Sequence, residues 1–574
     1  MSDLLSLYTP AGTSLPACPW DTYPRPSLRR TSFFCLNGSW DFGVVAENEA
    51  PCFDRTITVP FPPESLLSGI HTVFAEENVL CYRRRFSLPA GLGGERVILH
   101  FGAVDQMAEV FLNGMRLGDH IGGYQPFSFD ITDALAATNE LVVLVRDRLS
   151  DHVLPYGKQR RDRGGMWYTP FSGLWQTVWC EGVPANHITA LHLPTDPTHP
   201  LLTCEWSRFP ESGTVTVATP EGKRCFPLQD GQALLDLPSP RLWSPEDPFC
   251  YDCVIETSSE RIESYFALRT LSIETVNGQK RMCLNDKPFF FHGLLDQGYY
   301  SDGLVTPASP DSYRCDILTM KALGFNTLRK HIKIEPEIFY HECDRLGMVV
   351  FQDMVNNGDY RFLRDTALPT VGLLRRDDRR LHRDPAVRAA FRTHIRETVA
   401  QLTNHPAICL WTIFNEGWGQ FCGTEAYRAL KKLDPTRFID TASGWFMGCE
   451  TDLDSRHIYF RRVKLKPSDK PLYLSEFGGH TYRVEEHVAN PEKSYGYGTA
   501  KTRKDFVTGL RRLYLSEILP QIPKGLCAAV YTQVSDVEDE INGLLTYDRQ
   551  IEKVRPEEFA DVSVKLTAAI TAER

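Results

Sequence analysis

Several features are missing from this sequence, and each absence excludes something. No apolar run approaches the ~20 residues that a membrane helix needs, so an integral helical membrane protein is excluded. The opening MSDLLSLYTPAGTSLPACPW lacks the basic start and apolar core of a secretory signal, and a soluble, cytoplasmic chain is expected. There is no phosphate loop, no dinucleotide fingerprint and no zinc-type cysteine spacing, so neither a metal nor an organic cofactor is expected. Positive charge is not in excess: 63 Lys and Arg against 73 Asp and Glu give a net −10. That balance favours solubility, not a nucleic-acid partner. The sixteen cysteines are scattered. The one C-x-x-C, Cys250 and Cys253, lies in the strand-like FCYDCVIET, where positions i and i+3 point to opposite faces. Free thiols in a reducing compartment are the expectation.

What is present reads as a multidomain enzyme. The chain of 574 residues is too long for one core. Residues 1–184 are short strands broken by turn residues, with Asn113-Gly114 as a hairpin signal, and predict an all-β jelly roll. Residues 185–273 continue as strands and suit a small immunoglobulin-like sandwich. From 274 to 574, apolar β-type runs alternate with helical stretches such as 311–323, 336–346, 385–403 and 501–517. Eight such units over ~300 residues predict a (β/α)8 barrel, whose polar strand ends face one cavity.

Two of those strands end alike. ICLWTIFNEGWG delivers Asn415 and Glu416 at the close of an apolar run, and PLYLSEFGG delivers Glu476 at the close of another. A carboxylate at the mouth of a core strand is costly unless it is used. Two of them facing one cavity are the equipment of glycoside hydrolysis. Asp353, Asp296 and Gln297 also lie at or just beyond strand ends and join the candidate site.

NEGW and SEFGG at two barrel strands resemble glycoside hydrolase family 2, which includes β-galactosidases, β-glucuronidases and β-mannosidases. LNGSWDF (36–42), FLNGMRLGDHIGGYQPFSFDIT (111–132), GMWYTPFSGLWQTVWCE (165–181), RLWSPEDP (241–248) and NDKPFFFHG (285–293) follow in that family's order. The resemblance implies Glu416 as acid/base, Glu476 as nucleophile of a retaining double displacement, and Asn415 on the sugar 2-hydroxyl. It places Tyr459 on the nucleophile, although a buried, satisfied tyrosine reads equally well. Trp418 and Trp411 are either an apolar wall or plain core aromatics.

For the sugar, the glucuronidase Asn-x-Lys pair is missing from 533–543, where Asp536, Glu538, Asp539 and Glu540 stand instead. Arg329, Lys330, His331 and Lys333, with Arg361 and Arg364, form a cationic group after strands two and three. Either Arg329 steadies the nucleophile and the others are solvated, or one of them grips a sugar carboxylate. A terminal β-galactoside or β-galacturonide is therefore expected, with β-glucuronide and β-mannoside as alternatives and self-association left open. The competing class is a carbohydrate-binding protein on an inactive barrel.

Overall fold

The computed structural model describes residues 4–370, 377–446 and 448–571. Alternation builds its first part. In Asn139–Arg146 buried and half-buried residues alternate along NELVVLVR, the period of a strand with one face in the core. This strand lies inside a six-stranded antiparallel sheet, ordered Arg55–Val59, Gly38–Ala46, Asn78–Phe86, Asn139–Arg146, Met107–Leu112, Met115–Ile121. A four-stranded sheet joins it around a core containing Trp40, Phe42, Tyr82, Leu99 and Val143. The Asn113-Gly114 hairpin forms as expected, both residues having positive φ, 52° and 80°, as a type I′ turn demands. A smaller sandwich of three plus four strands follows, with Val215, Val217, Ile255 and Phe266 in its core.

The barrel strands are β1 (Phe291–Asp296), β2 (Thr327–Lys330), β3 (Val349–Asp353), β4 (Ile408–Asn415), β5 (Phe438–Ser443), β6 (Asp454–Ile458), β7 (Leu472–Gly478) and β8 (Leu526–Thr532). They form one parallel sheet ordered β5-β4-β3-β2-β1-β8-β7-β6. Every residue of β4 is buried, as a strand covered on both faces requires. Helices α1 (Asp311–Ala322), α2 (Glu337–Leu346), α3 (Pro385–Leu402), α4 (Gly423–Leu433), α5 (Arg503–Leu513) and α6 (Pro556–Thr571) pack outside. α3 starts where Asp384 accepts from the Ala386 N–H and Pro385 opens the first turn. Its buried Val387, Phe391, Ile395, Val399 and Leu402 recur at helical spacing.

Two departures from eight regular units bear on the site. Among the described residues, no helix separates β5 from β6 or β6 from β7. No ladder joins β5 to β6 either. Side chains close that seam: Ser455 donates to Asp440 at 3.0 Å, and Ser443 Oγ lies 3.2 Å from His457 Nε2.

Candidate active site

The strand–turn at the end of β4 answers why a glycine follows the glutamate. Glu416 itself has φ +53° and Gly417 φ +71°, a left-handed pair that reverses the chain within one turn. A Cβ on Gly417 would lie 2.1 Å from the Phe446 ring, so no other residue fits. The left-handed conformation of Glu416 costs of order 1–3 kcal/mol. It is held by Glu416 N–H donating to Ser443 O at 2.9 Å and Trp418 N–H to Asn415 O at 3.0 Å.

Glu416 and Glu476 come together. One oxygen from each, with a ring nitrogen of His457, forms a cluster whose atoms all lie within 4.8 Å of one another. His457 Nδ1 is 2.9 Å from Glu416 Oε1, and its Nε2 is 3.6 Å from Glu476 Oε1. Arg329 donates Nη1 to Glu476 Oε1 at 3.1 Å, and Tyr459 donates its hydroxyl to Glu476 Oε2. Burial alone would raise the Glu476 carboxyl. His457, Arg329, His331 and the Tyr459 hydroxyl outweigh it and hold it at about 2.

Arg329 is the hub. Fully buried, it also donates Nε to Asp353 at 3.0 Å, Nη1 to Ser475 O at 3.1 Å and Nη2 to Asn415 Oδ1 at 2.9 Å. The last bond fixes the Asn415 amide with its NH2 left to donate elsewhere. Asp353 in turn takes His331 Nδ1 at 2.7 Å. Asp353 thus orients Arg329 and His331 from behind them.

Other expected residues stand differently. The cationic group is not an open rim. Lys330 is 1% exposed and donates to Asp296 at 2.6 Å and Glu335 at 2.8 Å. Lys333 is 2% exposed, bonded to Glu335 and the carbonyls of Gly298 and Val305, and burial lowers its ammonium to about 8. Arg364 pairs with Asp365, and Arg361 points to solvent near Asp359. A buried cation needs a partner, and chain neighbours have supplied it. Asp296 is spent on Lys330 and the Gly298 N–H. Gln297 is buried, and no bond reaches its amide oxygen among the described residues. Trp411 is core, its Nε1 on Asp434. Trp418 is 3% exposed and packs edge-on to Tyr156, Trp167 and Tyr360.

Two contributions were missed by the sequence reading. His457 stands two residues before Tyr459, which at strand spacing puts both on one face; that was the available signal. The other is a loop of the jelly roll, 155–168, which reaches the barrel mouth. Tyr156 and Gly157 N–H groups both meet Asn356 O, and Arg163 pairs with Asp539 at 3.1 Å. Tyr168 donates its hydroxyl to Glu540. Lys158 is half-buried, its Nζ 5.7 Å from the Trp167 ring centre. No hydrogen bond or ion pair holds that Nζ among the described residues. Burial raises the Glu540 carboxyl, and Lys158 is the first charge to offset it. Nothing local in KQRRDRGG could have announced Asp539 and Glu540, which lie 376 and 372 positions from their partners Arg163 and Tyr168. Asp536, Glu538 and Asp539 are buried structural acids, bonded to Lys553, Thr169 N–H and Asn490 respectively.

No helix among the described residues is long and apolar enough to cross a membrane. All sixteen cysteines stand as free thiols.

Comparison with known proteins agrees with this architecture. The chain is 28% identical over 448 residues to a β-galactosidase of Aeromonas hydrophila, covering 71% of this chain and 40% of that protein. It is 22% identical over 532 residues to a β-glucuronidase of Streptococcus agalactiae, covering 79% and 84%. A crystal structure of a β-galacturonidase from Eisenbergiella tayi bound to galacturonate superposes with TM-score 0.68 at 18% identity, over 94% of this chain and 98% of that one. At that identity the likeness speaks for the fold alone. Residues 275–468 match the glycosyl hydrolases family 2 TIM barrel domain, and residues 69–163 match the glycosyl hydrolase 2 galactose-binding domain-like family. These matches fall, in chain order, on the two parts that together enclose the paired glutamates, and the chain belongs to glycosyl hydrolase family 2.

Proposed function

We propose that this chain is an exo-acting, retaining β-glycosidase that removes a terminal β-galacto-configured sugar through a covalent glycosyl-enzyme on Glu476. The observation that carries it is the carboxylate spacing. Oxygens of Glu416 and Glu476 approach within 4.8 Å, which supports the about 5–5.5 Å separation of retaining enzymes over the about 6.5–9.5 Å of inverting ones. Glu476, kept ionised by Arg329, His457 and Tyr459, attacks C1. Glu416, which no arginine or lysine among the described residues pairs with, protonates the departing oxygen. Glu416 then takes a proton from the water that attacks C1 and releases Glu476. The free NH2 of Asn415 donates to the 2-hydroxyl. The jelly-roll loop walls one side of the cavity, which favours action at a chain end.

At C6 the geometry favours a neutral sugar. Lys330 and Lys333 are already paired, and Glu540 contributes a carboxylate to the wall. One observation favours the second reading, a β-galacturonide: Lys158 carries an unpartnered charge beside that wall. A panel of p-nitrophenyl β-glycosides, including galactoside, galacturonide, glucuronide and mannoside, decides. Turnover of the galactoside above all others supports the proposal, preference for the galacturonide selects the second reading at C6, and preference for the glucuronide or the mannoside overturns the sugar assignment. Proton NMR of the first product decides the mechanism, the β-anomer being expected and the α-anomer excluding retention.

A further inference from the structure

His457 helps to keep Glu476 ionised, and its other ring nitrogen lies against Glu416. Its side chain is fully buried at the seam between β5 and β6. Nδ1 is 2.9 Å from Glu416 Oε1, and Nε2 is 3.2 Å from Ser443 Oγ and 3.6 Å from Glu476 Oε1. The site is shaped for this ring. A Cβ on Gly444 would lie 2.7 Å from its Cγ and Nδ1, and Trp445 covers it at 5.6 Å between ring centroids.

A hydrogen bond between Nδ1 and Oε1 needs one proton between them. That proton sits either on the imidazole, with Glu416 ionised, or on Glu416, with the imidazole accepting. With Nε2 carrying its own proton throughout, both arrangements leave the group of Glu416, His457 and Glu476 with the same count, one net negative charge. A lone carboxyl surrenders its proton near pH ~4.3, whereas an imidazole keeps one to ~6.5.

We infer that His457 is a positioning residue that stores, in its bond to Glu416, the proton that Glu416 delivers to the leaving group. When C1–O breaks and C1 bonds to Glu476, the shared proton passes through Glu416 to the departing oxygen, leaving neutral His457 and ionised Glu416. When water attacks C1 and Glu476 departs, Glu416 takes the water's proton and the bond to His457 is restored. The proton count closes over the cycle, with no further donor required. The other groups around the ring are Glu476 from β7, Tyr459 just beyond the end of β6 and Ser443 from β5. Asp440 of β5 stands farther off, its carboxyl raised by burial to about 6, and Arg329 acts through Glu476.

This inference rests on the assignment of Glu416 as acid/base, and the experiment separates the two. The pH profile of kcat/KM is measured with a phenyl glycoside, which needs acid assistance, and a 2,4-dinitrophenyl glycoside, which does not. His457→Asn keeps a donor near the Nδ1 position but cannot hold a titrating proton. It is expected to move the basic limb of the phenyl profile down by about one unit or more, a roughly tenfold or larger loss above neutrality. The dinitrophenyl profile should barely change. Loss of the same factor from both substrates, or an unmoved basic limb, overturns the inference. In the wild-type enzyme, a 15N-detected titration of His457 should share the apparent pKa of that limb, and a histidine neutral throughout the active range also overturns it. If Glu416→Gln slows the dinitrophenyl substrate as much as the phenyl one, the acid/base assignment fails instead.

Discussion

Arg329 offers the sharpest test of how the site works. Its removal, as Arg329→Met, withdraws one of the groups that hold the Glu476 carboxyl at about 2. Against an unperturbed glutamate near 4.3, that depression is about 3 kcal/mol of preference for the ionised form, at about 1.4 kcal/mol per unit. Burial pushes the other way, His457 is the strongest opponent of burial and Arg329 the next, so removing Arg329 recovers part of the shift. An upward movement of about one unit is expected. The sign is fixed: a group with a depressed pKa is ionised above it, so the acid limb of a rate that needs ionised Glu476 moves to higher pH. The assay is kcat/KM for a 2,4-dinitrophenyl glycoside across roughly pH 3–8, because good leaving groups make the acid dispensable. Arg329 also fixes the Asn415 amide at 2.9 Å, so turnover falls at neutral pH too, by the same factor for a galactoside and a galacturonide. The variant leaves buried Asp353 with His331 as its remaining side-chain partner among the described residues, and breaking a buried pair can cost about 3–5 kcal/mol; circular dichroism must confirm that it folds. Tyr459→Phe removes a hydroxyl on the same carboxylate without stranding a charge and should move the limb in the same direction. An acid limb that stays in place in both variants would refute the reasoning, as would an Arg329→Met loss confined to one sugar.

Other outcomes follow from the same geometry. Glu476→Gln should lose nearly all turnover on every substrate, while Glu416→Gln should spare dinitrophenyl glycosides; azide should rescue Glu416→Ala to the β-azide and Glu476→Ala to the α-azide, and the same anomer from both would mean that the roles are misassigned. Lys158→Met should lower kcat/KM for the preferred sugar by about ten- to a hundredfold, the worth of one charge-assisted hydrogen bond, and a change under twofold would remove Lys158 from the site. Glu64, buried against Ser172, has its carboxyl raised by burial to about 8. Its folded value lies above the unfolded one, so the stability it contributes is present below pH ~4.3 and is lost as pH rises toward 8. Thermal midpoints should therefore fall with rising pH, and Glu64→Gln should flatten that slope; parallel slopes would discount the effect. Dialysis against chelator should leave activity intact, and loss restored by one specific metal would contradict a cofactor-independent reaction.

The parts legible in the sequence were those whose signal is local. Strand β4 could be read because a buried parallel strand is apolar at every position, and its end because NEG reverses direction within one turn. The hairpin at Asn113-Gly114 could be read because only such residues accept two positive φ values. The cationic group misled because sequence shows charge but not pairing. Lys330 and Lys333 looked available, while Asp296 and Glu335, which neutralise them, read as unrelated residues. Eight β/α units were expected, but none of the helical stretches read from the sequence lies between β5 and β7. Among the described residues the chain instead runs there without helix, and that is where His457 and Tyr459 enter the site.

Glu540 poses the question that joins the two main parts of the molecule. A barrel strand-end loop carrying an unpaired carboxylate into a cavity that already holds two would raise the cost of ionising all three. The jelly roll meets that cost. Its loop places the Tyr168 hydroxyl on Glu540 and the Lys158 charge nearby, and it approaches closely enough that a Cβ on Gly157 would lie 3.0 Å from Ile332 O. The same loop lays Trp167 over Trp418, two residues beyond Glu416. The chemistry thus belongs to barrel residues bonded to one another through Arg329 and His457. The environment that decides which sugar can sit there is completed by a part of the chain folded some 250 residues earlier. Substitutions along 155–168 should therefore alter the ratio of kcat/KM between sugars while leaving the pH limbs set by Glu476 and by the Glu416–His457 pair in place. Substitutions of Arg329 or His457 should do the reverse.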